Sequence, residues 1–144
     1  MKVNVVCVGK IKEEFYREAV AEYAKRLSRF CNFSVIELPE CKTLQEEGEK
    51  ILRAAKGYKI ALCIEGQKLS SEKLATELKS LCDKGEEISF IIGSSCGLDG
   101  AVKAASNFKL SFSDMTFPHQ LMRVVLSEQI YRAFMINSGA EYHK

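Results

Sequence analysis

Leu110-Ser111-Phe112-Ser113-Asp114-Met115-Thr116-Phe117-Pro118-His119-Gln120-Leu121 is the stretch that organises the rest of this chain. Its first residues close a short apolar run, residues 108–112, that reads as a β-strand. Its last residues open a helical pattern that continues over residues 118–137, with a proline in the first turn. The Ser/Thr-rich loop between them presents hydroxyls beside the free backbone N–H groups of a helix start, which suits a polar ligand. A strand passing to a helix across such a loop is the unit of an α/β protein.

The same unit recurs upstream. Residues 3–8 are β-branched and short enough for a buried strand, and residues 12–30 follow with Phe15, Ala19, Tyr23 and Leu27 at helical spacing. Residues 33–38 alternate and then meet Pro39, which reads as a second strand. Thr43 and Glu46 form a capping box that opens a helix over residues 43–55. Residues 60–64 are the third strand, and Gly66 is expected to turn the chain. Ser70 or Ser71 caps the next helix, which ends at Gly85. Residues 88–92 make a fourth strand and residues 99–106 a short helix. Strict alternation predicts one domain over residues 1–144: a parallel sheet flanked by helices, with ligands at the carboxyl ends of the strands.

Charge and cysteine content narrow the function classes. A net charge of +2 is low for a dedicated non-specific nucleic-acid binder. The basic residues do cluster, with Lys10, Lys12, Arg17, Lys25, Arg26 and Arg29 on or beside the first helix, as a solvated face or an RNA-facing patch. Cys7, Cys31, Cys41, Cys63, Cys82 and Cys96 include no Cys-x-x-Cys pair, and only two histidines accompany them, so neither a metal site nor a disulfide framework is expected. The N-terminal apolar run is too short for a cleavable leader, and no stretch is long enough to span a membrane. Free thiols fit a reducing cytoplasm.

No Gly-x-G-x-x-Gly fingerprint and no P-loop is present. Gly66, Gly93 and Gly97 instead punctuate the strand ends. With the loop of residues 112–117 they form three neighbouring turns, able to surround an adenosine-sized ligand or to serve only as tight connections. Ser113, Thr116 and His119 read equally as structural parts of the helix start. The last helix carries Leu121, Met122, Val124, Val125, Leu126, Ile130 and Phe134 on more than one face. A surface helix needs one apolar stripe, so this excess points to a second subunit or to a central core helix. Beyond it, the tail ends in Tyr142-His143, two groups able to exchange protons. These features leave open an enzyme, a non-catalytic nucleotide-binding module and a non-catalytic ribosome-associated factor.

The chain resembles the RlmH-type members of the SPOUT methyltransferases along its whole length. The likeness runs from Val6–Lys10 to the Tyr142-His143 tail and is most specific in Leu110–Leu121 and in Glu128-Gln129-x-Tyr131-Arg132-Ala133. It implies S-adenosylmethionine-dependent methylation of N3 of a pseudouridine in 23S rRNA, of the position 1915 type. It also implies an obligate homodimer acting on the large ribosomal subunit. The fold implied is the SPOUT α/β knot, with a deep trefoil knot that general rules of chain topology argue against.

By position, the resemblance assigns cofactor binding to Leu62, Gly93, Phe112, Ser113, Asp114, Met115, Thr116 and Phe117. His143 and Tyr142 become the candidate bases, and Arg132 a group for holding phosphate or stabilising the ionised imide. No metal is required. Two stretches depart from the family pattern: Cys63-Ile64-Glu65 replaces an Asp-Glu-Arg-like run, and Ser94-Ser95-Cys96 stands where a second glycine and often Pro-Glu occur. Contacts made by backbone survive both changes, whereas a side-chain role for an acid in the second loop does not.

Overall fold

Continuous apolar runs place two strands at the centre of the sheet. The computed structural model describes residues 1–144, in the order β1 (Lys2–Val8), α1 (Glu14–Leu27), β2 (Asn32–Leu38), α2 (Leu44–Ala54), β3 (Tyr58–Lys68), α3 (Ser71–Asp83), β4 (Ile88–Ile92), α4 (Gly100–Ala105), β5 (Phe108–Ser111) and α5 (His119–Ser138). The strands lie in the order β2-β1-β4-β3-β5, and every pair is parallel. In β4 every residue is buried, and in β1 all but Lys2, as expected for strands covered on both faces. β2, at one edge, alternates exposed and half-buried positions.

Alternation of side chains along these strands feeds two cores. Val5, Cys7, Phe90 and Ile92 pack beneath α1, α3 and α5 with Leu27, Leu78, Leu126 and Ile130. Val6, Val8, Ala61 and Ile91 face the other way and meet Ile51 and Val102 of α2 and α4. The Cys7 and Cys31 thiols belong to the larger core, and burial pushes both up to about 11. Caps expected from the sequence are in place: Thr43 accepts a hydrogen bond from Glu46 N–H at 3.1 Å, and of the two serines it is Ser70 that caps α3, accepting from Lys73 N–H at 3.1 Å.

Two departures from the sequence reading matter. α1 is shorter than its apolar periodicity suggests, because residues 28–31 form a turn in which Leu27 C=O accepts from Phe30 and Cys31. β3 is longer: it does not end near Ile64 but runs through Gly66 to Lys68, with Leu110 pairing first with Leu62 and again with Gln67. The intervening residues leave the β5 ladder and become a wall beside the strand ends. A polar continuation has no hydrophobic signal, which is why the apolar run alone stops short.

β5 ends at the sheet edge, yet α5 begins near the carboxyl end of β1. Gln120 accepts from Lys12 N–H at 3.1 Å, and the wholly buried Arg123 donates to Val8 C=O at 2.8 Å and to Glu37 at 3.0 Å. Residues 112–118 therefore carry the chain back across the ends of β3 and β4.

Candidate active site

That return path, with residues 62–65 of β3, where its pairing with β5 is interrupted, and the loop after β4, encloses a cleft of about 660 Å³, within the size range of small-molecule sites. Leu62, Gly93, Phe112, Ser113, Met115, Thr116 and Phe117 all line it. Asp114 does not: its carboxylate turns away to an ion pair with Lys68 at 2.6 Å. The floor is apolar, built from Leu62, Ile92, Leu98 and Leu110. Ile64, Met115 and Phe117 stand at the cleft although they are among the most exposed large apolar side chains of the molecule. Exposed apolar groups gathered around one concavity mark a place for an apolar ligand surface.

The loops hold their shape by local bonds. Ser113 Oγ accepts from Met115 N–H at 2.9 Å, and Ser111 Oγ donates to Ser113 C=O at 3.1 Å, so both hydroxyls are engaged in turn structure. After β4 the chain reverses between Ser94 and Gly97, whose N–H donates to Ser94 C=O at 2.9 Å. A Cβ on Gly93 would sit 2.4 Å from Gly97 O, so this glycine is required by its own loop folding back upon it.

Sequence reasoning did not include Glu65 and Lys103, which line the same cleft and pair across its rim at 2.5 Å. They are 38 positions apart, and no local pattern joins them. His119 also reaches the cleft; its pKa is lowered by burial and then by the Arg123 guanidinium, which favours the neutral ring.

Tyr142, His143 and Arg132 lie elsewhere. Gly139 takes the left-handed conformation (φ 74°), with Ala140 N–H donating to Met135 C=O, and the tail folds back along the last turns of α5. Tyr142 packs edge-on against Tyr131, ring centroids 4.9 Å apart, and donates to Glu128 at 2.7 Å. Glu128 also accepts from Arg132 at 2.8 Å, and Arg132 reaches His143 Nδ1 at 3.0 Å. Burial, then the bond to Glu128, pushes the Tyr142 phenol well above its ordinary value. The three residues meet one another but not the cleft, since His119 and Arg132 are thirteen positions apart on α5, or about 20 Å along its axis.

A family model described as a predicted SPOUT methyltransferase matches residues 1–143. The chain belongs to the SPOUT methyltransferase family. Over its full length, and theirs, it is 48% identical to the ribosomal RNA large subunit methyltransferases H of Levilactobacillus brevis and of Clostridium novyi. Among solved structures, a probable methylase family protein from Haemophilus influenzae superposes on 99% of the chain, and over 70% of its own, with TM-score 0.62 and 11% identity. The SpoU methyltransferase AviRb from Streptomyces viridochromogenes, in complex with AdoMet, covers 93% of this chain and 58% of its own, with TM-score 0.53 and 8% identity. Those two likenesses show that the α/β fold is shared with these proteins. No group of three His, Cys, Asp or Glu residues is placed to hold a metal ion, and no helix is long and apolar enough to cross a membrane.

Proposed function

We propose that this protein transfers a methyl group from S-adenosylmethionine to N3 of a pseudouridine in large-subunit ribosomal RNA, working as a homodimer in the cytoplasm. The observation that carries this reading is the cleft itself, in a chain of this family and this close to the ribosomal RNA large subunit methyltransferases H. Its volume and its exposed apolar rim fit a purine nucleoside, and Leu62, Gly93, Phe112, Ser113, Met115, Thr116 and Phe117 would hold the cofactor. Asp114, bound to Lys68, would act by fixing the loop rather than by touching the ligand. The deep knot belongs to the same reading, supported by the return of residues 112–118 across the sheet.

Once bound, the sulfonium cofactor supplies an already activated methyl group. What remains for the protein is alignment and removal of the N3 proton. Of the two candidate bases, the geometry favours His143. Tyr142 spends its O–H on Glu128 and resists ionisation, so it serves as a clamp on the tail. Arg132, beside both, is available to an ionised imide or a phosphate.

Because these groups lie a helix length from the cleft of their own chain, each active site is composite, with the tail supplied by a partner subunit. Leu121, Val124 and Val125 leave a half-buried apolar row on α5 that a second copy would cover. Titration calorimetry with S-adenosylmethionine, followed by single-turnover transfer of labelled methyl to large subunits, tests the reading. Binding, and mass-spectrometric location of the label on N3 of a pseudouridine, are expected. Absence of binding heat from the cofactor and from its demethylated product would overturn it.

A further inference from the structure

Both nitrogens of the His143 ring are engaged, and their partners differ in kind. Arg132 meets Nδ1 at 3.0 Å, and Glu72, in the first turn of α3, meets Nε2. A guanidinium has donors and no acceptor, so Nδ1 must present its lone pair to Arg132. The Glu72 carboxyl is held below its ordinary range, chiefly by its hydrogen bond to His143, so it is an ionised acceptor and Nε2 must carry the proton. Donor and acceptor logic thus selects one tautomer.

We infer that Glu72 is a positioning residue for the methyl transfer: it fixes His143 as the Nε2–H tautomer, so that Nδ1 is the atom that takes the N3 proton, and Arg132 masks that atom until RNA displaces it. This rests on the reading of His143 as the proton acceptor. In the step itself the N3–H bond breaks with its electron pair left on N3, and the Nδ1 lone pair forms the new N–H bond. The resulting imidazolium is stabilised at Nε2–H by the Glu72 carboxylate, an arrangement with the logic of the acid that orients a catalytic histidine elsewhere.

Arg132 is suited to the masking part. Its Nε and one terminal nitrogen are tied to Glu128, at 3.3 and 2.8 Å, and only the other terminal nitrogen reaches His143. A substrate base can therefore take over Nδ1 without dislodging Arg132 from Glu128. The imidazolium that forms then repels the guanidinium, which directs its freed N–H toward the nearest anion, the ionised imide or a phosphate. The charged and titratable groups around the ring are Glu72 from α3, Arg132 and Glu128 from α5, and Tyr142 of the tail.

The test begins with imidazole nitrogen NMR of the full-length dimer without RNA. His143 should show protonated Nε2 and unprotonated Nδ1, while Glu72→Leu combined with Arg132→Leu, which removes both contacts that select the tautomer, should show a mixture. A protonated Nδ1 in the unaltered protein overturns the assignment, whatever the enzyme does with RNA. In single turnover, Glu72→Leu should lower the transfer rate about ten- to a hundredfold, part of the ~10²–10⁴ that a positioned base contributes, with binding of ribosomes and cofactor unchanged. Glu72→Gln still accepts from Nε2–H and should keep the tautomer. It loses the charge that favours the imidazolium, so the acid limb of the rate profile, where a protonated ring cannot accept, should move to lower pH. Glu72 is exposed on α3, and unchanged melting and dimerisation of both variants separate positioning from folding. Wild-type rates in Glu72→Leu would leave the pair as a surface contact and sink the inference.

Discussion

The two ends of α5 are built by different physics. At its first turns the cleft is made of backbone loops and apolar side chains, with hydroxyls spent on turns and three large apolar residues exposed around an open volume. At its last turns Arg132, Glu128, Tyr142, His143 and Glu72 close upon one another in a chain of charge-assisted bonds. The first end is shaped to receive a flat, partly apolar ligand; the second can orient a proton acceptor. In the proposed reading, neither end completes a methyl transfer site alone.

The hardest test of that division is to remove the second end. Deleting residues 141–144 should leave folding, dimerisation and cofactor binding nearly intact, because the tail gives the core only the half-buried Tyr142 ring. Labelled-methyl transfer in single turnover should fall about a hundredfold or more. Mixing the truncated protein with Gly93→Val, whose β4 loop cannot close, sharpens the point. Heterodimers would carry one intact cleft facing one intact tail, and roughly a quarter of the wild-type activity should return. No recovery on mixing would place both halves of the site in one chain.

Next in size is the surface that would join the halves in the proposed homodimer. Val125 is half-buried and borders a smaller hollow with Leu69, Leu74 and Phe112. Val125→Glu should place an unpaired charge in the dimer contact and give monomer or aggregate by light scattering. Methyl transfer should fall with it and recover in part on concentrating the protein. A dimer that tolerates Glu there would move the interface off this face of α5.

Arg123 offers a smaller and differently placed effect. It is wholly buried, bonded to Val8 C=O and Glu37, and it ties the cleft end of α5 to β1 and β2. Arg123→Met takes a donor from Val8 C=O and one of two partners from the partly exposed Glu37, which keeps Ile11 N–H, and should cost about 1–3 kcal/mol and lower the melting temperature by about 3–10 °C. Cofactor affinity should weaken while the tail cluster keeps its tautomer. Equal damage at both ends would show that α5 transmits strain along its length.

The sheet was legible because β-branched runs and caps such as Thr43 and Ser70 are local signals, which located each strand and helix but not the polar end of β3 or the last turn of α1. The cleft loops were placed by the spacing of glycines at strand ends and by resemblance, though the reason for Gly93 is its own turn rather than a ligand's approach. What the chain pattern does not carry is long-range partnership. Nothing near Glu72 announces His143, 71 positions away, nor does Glu65 announce Lys103. Charge patterns mislead for the same reason: the basic residues of α1 look alike until their partners are seen.

Those basic residues give the smallest effect, and it again separates the two ends. Arg26 is paired with Glu22 at 2.8 Å and lies over Tyr23 and Tyr131, while Arg29 lies over Phe30 and meets Met135 Sδ at 3.3 Å. Arg17 is held by Glu14 and Ile11 C=O. Lys10 and Lys12 are exposed beside Gln120, at the cleft end of α5, and their charges are free to meet phosphate. Each phosphate neutralised contributes about 0.7–0.9 to the slope of log affinity against log salt. Lys10→Gln with Lys12→Gln should therefore flatten the salt dependence of ribosome binding by roughly 1.5. Arg26→Gln with Arg29→Gln, at the tail end, should leave the slope almost unchanged, because those guanidiniums already serve the protein's own packing. A salt series in which the arginine pair flattens the slope and the lysine pair does not would put the RNA backbone along α1, away from the mouth of the cleft.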